Sequence, residues 1–210
     1  MPIDILVPFI VTATVLTMVP GLDTAMVLRA ATIQGARYGV ATAFGVALGC
    51  LCWGTAAAFG LAALLHAWPL AFLALRWTGA LYLAWLGAQL VMRPRKALVL
   101  EAGGDPGDGL WTAARRGFTT NILNPKVGLF YLTLLPQFVP HQARGGGMAF
   151  LLATLQVAIA LVWFSTLSAL AHGIRSWLRR PGVVVALDRV TGGIFVLLGY
   201  ELTQFTGLHA

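Results

Sequence analysis

Apolar positions in this chain come in long uninterrupted runs, and no segment shows the period-2 alternation that a membrane β-barrel needs throughout. A helix needs about 20 apolar residues to cross the hydrocarbon layer. The first such run extends from Ile3 to about Leu28, interrupted at Pro20-Gly21 and carrying Asp23. Between Arg37 and Arg76 lie 38 residues without a charge, too many for one crossing. A turn at Ala67-Trp68-Pro69 divides them into a second span, about Tyr38 to Leu65, and a third, about Leu70 to Met92. Span four follows Arg115-Arg116, runs to about Val139 and is broken at Asn124-Pro125. Span five covers about Met148 to Ala171, and span six about Val190 to Thr206 after a connection holding Arg175, Arg179, Arg180 and Pro181. The predicted fold is all-α, a bundle of six transmembrane helices forming one domain over residues 1–210.

Composition sharpens this. Only 21 of 210 residues are charged and 59% are hydrophobic, whereas a soluble domain of this size carries roughly 50 charges. The net charge of +7 therefore does not describe a nucleic-acid binder, which gathers its Lys and Arg on a solvated face. Three of the seven acids fall between Arg93 and Gly109, in the one hydrophilic linker. The basic residues report orientation instead. Connections one, three and five hold eleven, namely Arg29, Arg37, Arg93, Arg95, Lys96, Arg115, Arg116, Arg175, Arg179, Arg180 and Arg189, against Arg76 and Arg144 in connections two and four. The odd connections are thus expected in the cytoplasm and both termini outside. Met-Pro-Ile-Asp precedes the first run, so a cleavable signal peptide with a basic n-region is not expected.

Cys50 and Cys52 are two residues apart on a helix and point about 200° away from each other. They read as packing residues rather than a disulfide or metal pair. His66, His141, His172 and His209 show no ligand spacing, and neither metal nor cofactor is expected.

The informative polar residues sit at the two helix breaks. A proline removes its own donor and leaves the carbonyl four residues back without a partner, Leu16 for Pro20 and Asn121 for Pro125. A single such proline is commonly a packing kink. Here Pro20-Gly21-Leu22-Asp23 puts a carboxylate beside one break, and Asn121-Ile-Leu-Asn124-Pro125-Lys126 puts two amides and an ammonium around the other. A charge at membrane depth costs roughly 2.5–3.5 kcal/mol on an insertion scale and should face the bundle interior. The breaks occupy corresponding spans, one and four, and each precedes a similar turn, Gly35-Ala-Arg-Tyr-Gly39 and Ala143-Arg-Gly-Gly-Gly147. This predicts a 3+3 repeat, residues 1–92 and 115–210 joined by 93–114, inverted because three is odd. Matched broken helices in inverted repeats point to a transporter's central site.

Pro20-Gly21-Leu22-Asp23-Thr24, Gly45-Val-Ala-Leu-Gly49, Gly79-Ala-Leu-Tyr-Leu-Ala-Trp-Leu-Gly87 and Arg116-Gly-Phe-Thr-Thr-Asn-Ile-Leu-Asn-Pro-Lys126 resemble motifs of the LysE/RhtB family of amino-acid exporters. The likeness continues through Phe130 to Phe138 and thins after about residue 175. One departure is Leu22, where the family usually has a second proline. The resemblance implies export of an amino acid or similar metabolite against inward proton movement, in a bacterial inner membrane.

The residues suit that chemistry. A zwitterion needs acceptors for its ammonium, which freed carbonyls and Asp23 can supply. It needs donors for its carboxylate, which Asn121, Asn124, Lys126 and the helix N-terminus after a break can supply. The expected binding set is Pro20, Gly21, Asp23, Thr24, Asn121, Asn124, Pro125 and Lys126, with Asp23 as proton carrier because desolvation favours a neutral carboxyl. The competing reading is a permanent Asp23–Lys126 pair that only ties the halves together. Glu201, the one other acid placed in an apolar stretch, and Arg76 are expected at the outer interface. Gln156 and Ser165 are polar residues able to face the cavity, and the Gly45–Gly49 motif suits close packing within the chain or between subunits of a homo-oligomer. A passive channel or lipid scramblase is the alternative. An intramembrane enzyme is disfavoured, since neither Gly-x-Ser-x-Gly nor His-Glu-x-x-His is present.

Overall fold

The computed structural model describes residues 3–61, 69–94, 109–139, 146–178 and 180–204. The predicted turn at Ala67-Trp68, most of the hydrophilic linker and the connection at Ala143-Arg144 lie outside these residues, as do His66, His141 and His209 and the Arg76 and His172 side chains.

The described residues form helices and no strand: α1 (Ile3–Met18), α2 (Leu22–Ile33), α3 (Ala36–Ala56), α4 (Pro69–Met92), α5 (Leu110–Ile122), α6 (Pro125–Leu129), α7 (Gly147–Leu178) and α8 (Pro181–Gln204). A widened turn at Ala57–Leu61 extends α3. A widened turn at Phe130–Leu134 and a tight one at Leu135–Phe138 extend α6. Proline opens α4, α6 and α8, at the first helical position, where its missing N–H costs nothing. Gly35 links α2 to α3 at φ +102°, a conformation that favours glycine.

Three helices among the described residues are long and apolar enough to cross a bilayer alone: Ala36–Gly60, Gly147–Ala171 and Pro181–Gln204. The pair α1 and α2, bent by 55°, makes a fourth. Large apolar side chains such as Leu70, Trp111, Leu123 and Val162 point outward, as lipid contact requires. The helix boundaries correct the expected ones wherever charges were taken as limits. Span six begins at Pro181, not Val190, so that Asp188 and Arg189 are helical. Likewise α5 includes Arg115 and Arg116. Charged side chains do not stop a helix, because they can turn their heads toward water or a partner while the backbone bonds continue.

The centre of the bundle is α3, which packs most extensively on α5 and also on α7 and α2, while α4 pairs with α8. Glycine sets the α3–α5 distance. A methyl on Gly45 would run into the Ala114 carbonyl, one on Gly117 into the Thr42 carbonyl, and one on Gly49 into the Asn121 side chain. The Gly45–Gly49 motif therefore closes a seam within the chain. Gly87 and Gly192 face each other's backbone in the same way between α4 and α8.

Candidate functional site

At the first break α1 ends at Met18, Pro20-Gly21 carries the chain through the bend, and α2 starts at Leu22. The Gly21 N–H donates to Thr24 Oγ1 (3.4 Å), so Thr24 caps the new helix. Asp23 lies in its first turn and is buried. At the second break α5 ends at Ile122, and the Asn124 N–H donates to the Asn121 carbonyl (3.0 Å). Asn124 then caps α6, its Oδ1 accepting from the Lys126 N–H at 3.1 Å with Pro125 at the first position.

The two breaks meet. The Lys126 ammonium donates to the carbonyls of Leu16 and Val19, each at 3.0 Å. Leu16 is the residue whose carbonyl Pro20 deprives of a helical donor. The Lys126 stem passes Gly21, where a methyl would come within 3.3 Å of Nζ. Asn121 Nδ2 donates to Asp23 Oδ2 (2.9 Å) and to Cys50 Sγ (3.4 Å). Lys126 is near enough to Asp23 to act on its charge. The Lys126 ammonium also holds the α1 carbonyls, and the Asp23 carboxylate also holds Asn121.

Beside these groups lies a cavity of about 40 Å³, bordered by Thr17, Asp23, Cys50, Lys126, Tyr131 and Gln156. Gln156 Nε2 donates to Thr17 Oγ1 at 2.8 Å. Three buried polar atoms on this cavity have no hydrogen-bond partner among the described residues: Asp23 Oδ1, Tyr131 OH and Gln156 Oε1. Leaving a buried polar group unsatisfied costs about 1–3 kcal/mol. Three such atoms around one space leave polar groups open to water or another polar partner.

Of the expected residues, the structure brings Gly21, Asp23, Asn121 and Lys126 to one point, while Pro20, Thr24, Asn124 and Pro125 shape and cap the two helix ends around it. Ser165 is not among the residues bordering the cavity, whereas Gln156 is. Glu201 is exposed. Cys50 is buried and Cys52 exposed, on opposite faces and unbonded. No group of three or more His, Cys, Asp or Glu among the described residues could hold a metal ion.

Two features escaped the sequence reading. Cys50 and Tyr131 border the cavity, and a helical wheel of α3 carried the signal for the first, since Cys50 lies seven residues from buried Ala43 on one face. Asp188, only 1% exposed, corrects the statement that Glu201 is the one other acid in an apolar stretch.

Relatives match most of the length of the chain. The family described as LysE type translocator matches residues 14–204. A homoserine/homoserine lactone efflux protein of Salmonella typhimurium is 28% identical, over 93% of this chain and 94% of its own. A leucine efflux protein of an Enterobacter species is 33% identical, over 76% of this chain and 75% of its own. An uncharacterized membrane protein of Bacillus subtilis is 25% identical over 93% of this chain and 97% of its own. No solved structure matches the chain. The long apolar helices and a family match covering most of the sequence lead to one assignment: this is a multi-pass membrane protein of the LysE translocator family.

Proposed function

We propose that the protein exports an amino acid or amino-acid-like metabolite from the cytoplasm by proton antiport and alternating access. The names of its relatives, leucine efflux and homoserine/homoserine lactone efflux, support the substrate class. One observation carries the mechanism: the Lys126 ammonium on the Leu16 and Val19 carbonyls beside Asp23. Those acceptors are what a substrate ammonium requires. Lys126 thus acts as a tethered stand-in for the substrate amine, holding the broken helix closed while the carrier is empty. An incoming substrate amine displaces it, and the released ammonium meets the substrate carboxylate. Protonation of Asp23 removes the charge that retains the amine, so proton and substrate compete and the two fluxes are coupled.

The packing supports six spans arranged as a 3+3 inverted repeat, and the excess of basic residues in the odd connections supports both termini outside. Helix α3 packs on α7, and α4 on α8, while the α3–α5 contact has its counterpart in α1–α7. These counterparts are unequal. The α3–α5 seam is closed on glycine, whereas a groove of about 360 Å³ lies between α1 and α7, lined by Thr14, Met18, Val162 and Trp163. Unequal packing of equivalent seams is what rocking of one repeat against the other needs. The central cavity has room for water but not for an amino acid, so loading requires such a motion.

Counterflow into proteoliposomes with a panel of labelled amino acids tests this reading. A carrier shows saturable uptake that unlabelled substrate on the other side accelerates. Uptake that neither saturates nor responds to that trans substrate marks a channel, and movement of labelled lipid marks a scramblase.

A further inference from the structure

A second pocket, with polar and apolar walls, lies away from the central cavity, between α2, α3 and α5. It measures about 30 Å³ and is bordered by Arg29, Gln34, Thr42 and Arg116, with no acid among the described residues lining it. Arg29 Nη2 is buried and has no hydrogen-bond partner among the described residues. A buried guanidinium nitrogen without a partner is costly, because a desolvated donor needs an acceptor. The open donor of Arg29, on one small cavity with the positive charge of Arg116, suits an anion, and the planar fork of Arg matches a carboxylate in particular.

The position of the pocket identifies the anion. Arg29 lies six residues after Asp23 on α2, about 9 Å along the axis, and Arg116 lies five residues before Asn121 on α5, about 7.5 Å. The helices that bring Asp23 and Asn121 together thus also bring the arginines together, at the end of the bundle that carries Arg37 and Arg115 and that the basic residues assign to the cytoplasm. No described residue borders both this pocket and the central cavity, so the two are distinct spaces. The pocket is therefore a separate station on the cytoplasmic approach.

We propose that Arg29 and Arg116 form a cytoplasmic docking site for the carboxylate of the exported amino acid, occupied before the substrate reaches Asp23. The proposal rests on the exporter reading. The same pocket chemistry would accept the phosphate of an anionic lipid, so the test separates the two sources.

The probe is the labelled amino acid that the counterflow panel moves fastest, measured in proteoliposomes of fixed orientation. Arg29→Gln and Arg116→Gln are each expected to raise KM on the cytoplasmic face about tenfold, the effect of losing a charge-assisted hydrogen bond, with kcat and the external KM unchanged. Arg29→Lys should give an intermediate KM, because it keeps the charge and loses the fork. The effect should persist in vesicles of phosphatidylcholine alone. A cytoplasmic KM unchanged in both Gln variants overturns the proposal while leaving the exporter reading intact. So does an effect seen only with phosphatidylglycerol present, which assigns the pocket to lipid. Loss of kcat on both faces equally would make the arginines structural and also overturn it. A wild-type protein that moves no amino acid removes the exporter reading and this inference with it.

Discussion

The Lys126 ammonium lies 3.0 Å from the carbonyl oxygen of Leu16, 110 residues away and on the far side of the second helix break. One side chain from the second half of the chain thus satisfies the backbone group that a proline in the first half leaves open. The stability of the first break therefore depends on a residue at the second.

Replacing Lys126 with Met should separate those contributions. It leaves the Leu16 and Val19 carbonyls without their donor and Asp23 buried without that charge, and losing one member of a buried charged set costs about 3–5 kcal/mol. Thermal unfolding in detergent is expected to show a Tm lower by several degrees, with transport abolished. Adding Asp23→Asn to Lys126→Met should restore much of the Tm and none of the transport. A double variant as unstable as the single one would show that the two charges are not coupled.

Asn121→Leu keeps the volume and deletes the 2.9 Å hydrogen bond to Asp23 Oδ2. A hydrogen bond to a charged group is worth about 1.5–3 kcal/mol, so substrate affinity should fall roughly tenfold or more. Asn121→Gln, which keeps the amide on a longer stem, should recover part of it. Equal KM values in wild type and Asn121→Leu would place Asn121 outside the site.

The α3–α5 seam makes a steric prediction. Gly45→Ala and Gly49→Ala each force a methyl into α5, and overpacking of this kind costs about 1–3 kcal/mol. Gly49→Ala should also impair transport beyond its effect on stability, because the group it meets is the Asn121 side chain that holds Asp23. Gly193→Ala, which meets nothing, serves as the control. Folded yield and counterflow rate, measured together, check all three.

Membrane orientation is tested by single cysteines in a Cys50→Ala/Cys52→Ala background. Arg37→Cys should react with an impermeant maleimide only in inside-out vesicles, and Asp4→Cys only in right-side-out ones. The reverse pattern would overturn the assignment of the basic connections to the cytoplasm.

Much of the site was legible because its signals are local. A proline or a charge inside an apolar run stands out without knowledge of the fold, and so Pro20, Asp23, Pro125 and Lys126 could be named from spacing alone. The destination of Lys126 was not legible. The sequence offers its ammonium a substrate carboxylate or Asp23, and only the approach of the two breaks shows it on the Leu16 and Val19 carbonyls. Tyr131 and Cys50 look like packing residues until the register of their helices turns them toward the cavity. Asp188 was lost because span six was drawn to begin after Arg189, whereas the helix starts at Pro181. Arg29 reads from the sequence as a topology signal and Arg116 as that and part of a motif, roles that conceal which way a guanidinium faces.

The central claim is that Asp23 carries the proton and competes for the substrate amine. The most direct measurement compares wild type with Asp23→Asn in proteoliposomes, following labelled substrate first in exchange and then under an imposed pH gradient. The account predicts that wild type accumulates substrate against its gradient in the acidic compartment. Asp23→Asn, fixed in the uncharged state, should exchange substrate only with a raised KM and should not respond to the gradient. An Asp23→Asn protein that pumps as well as wild type would contradict it.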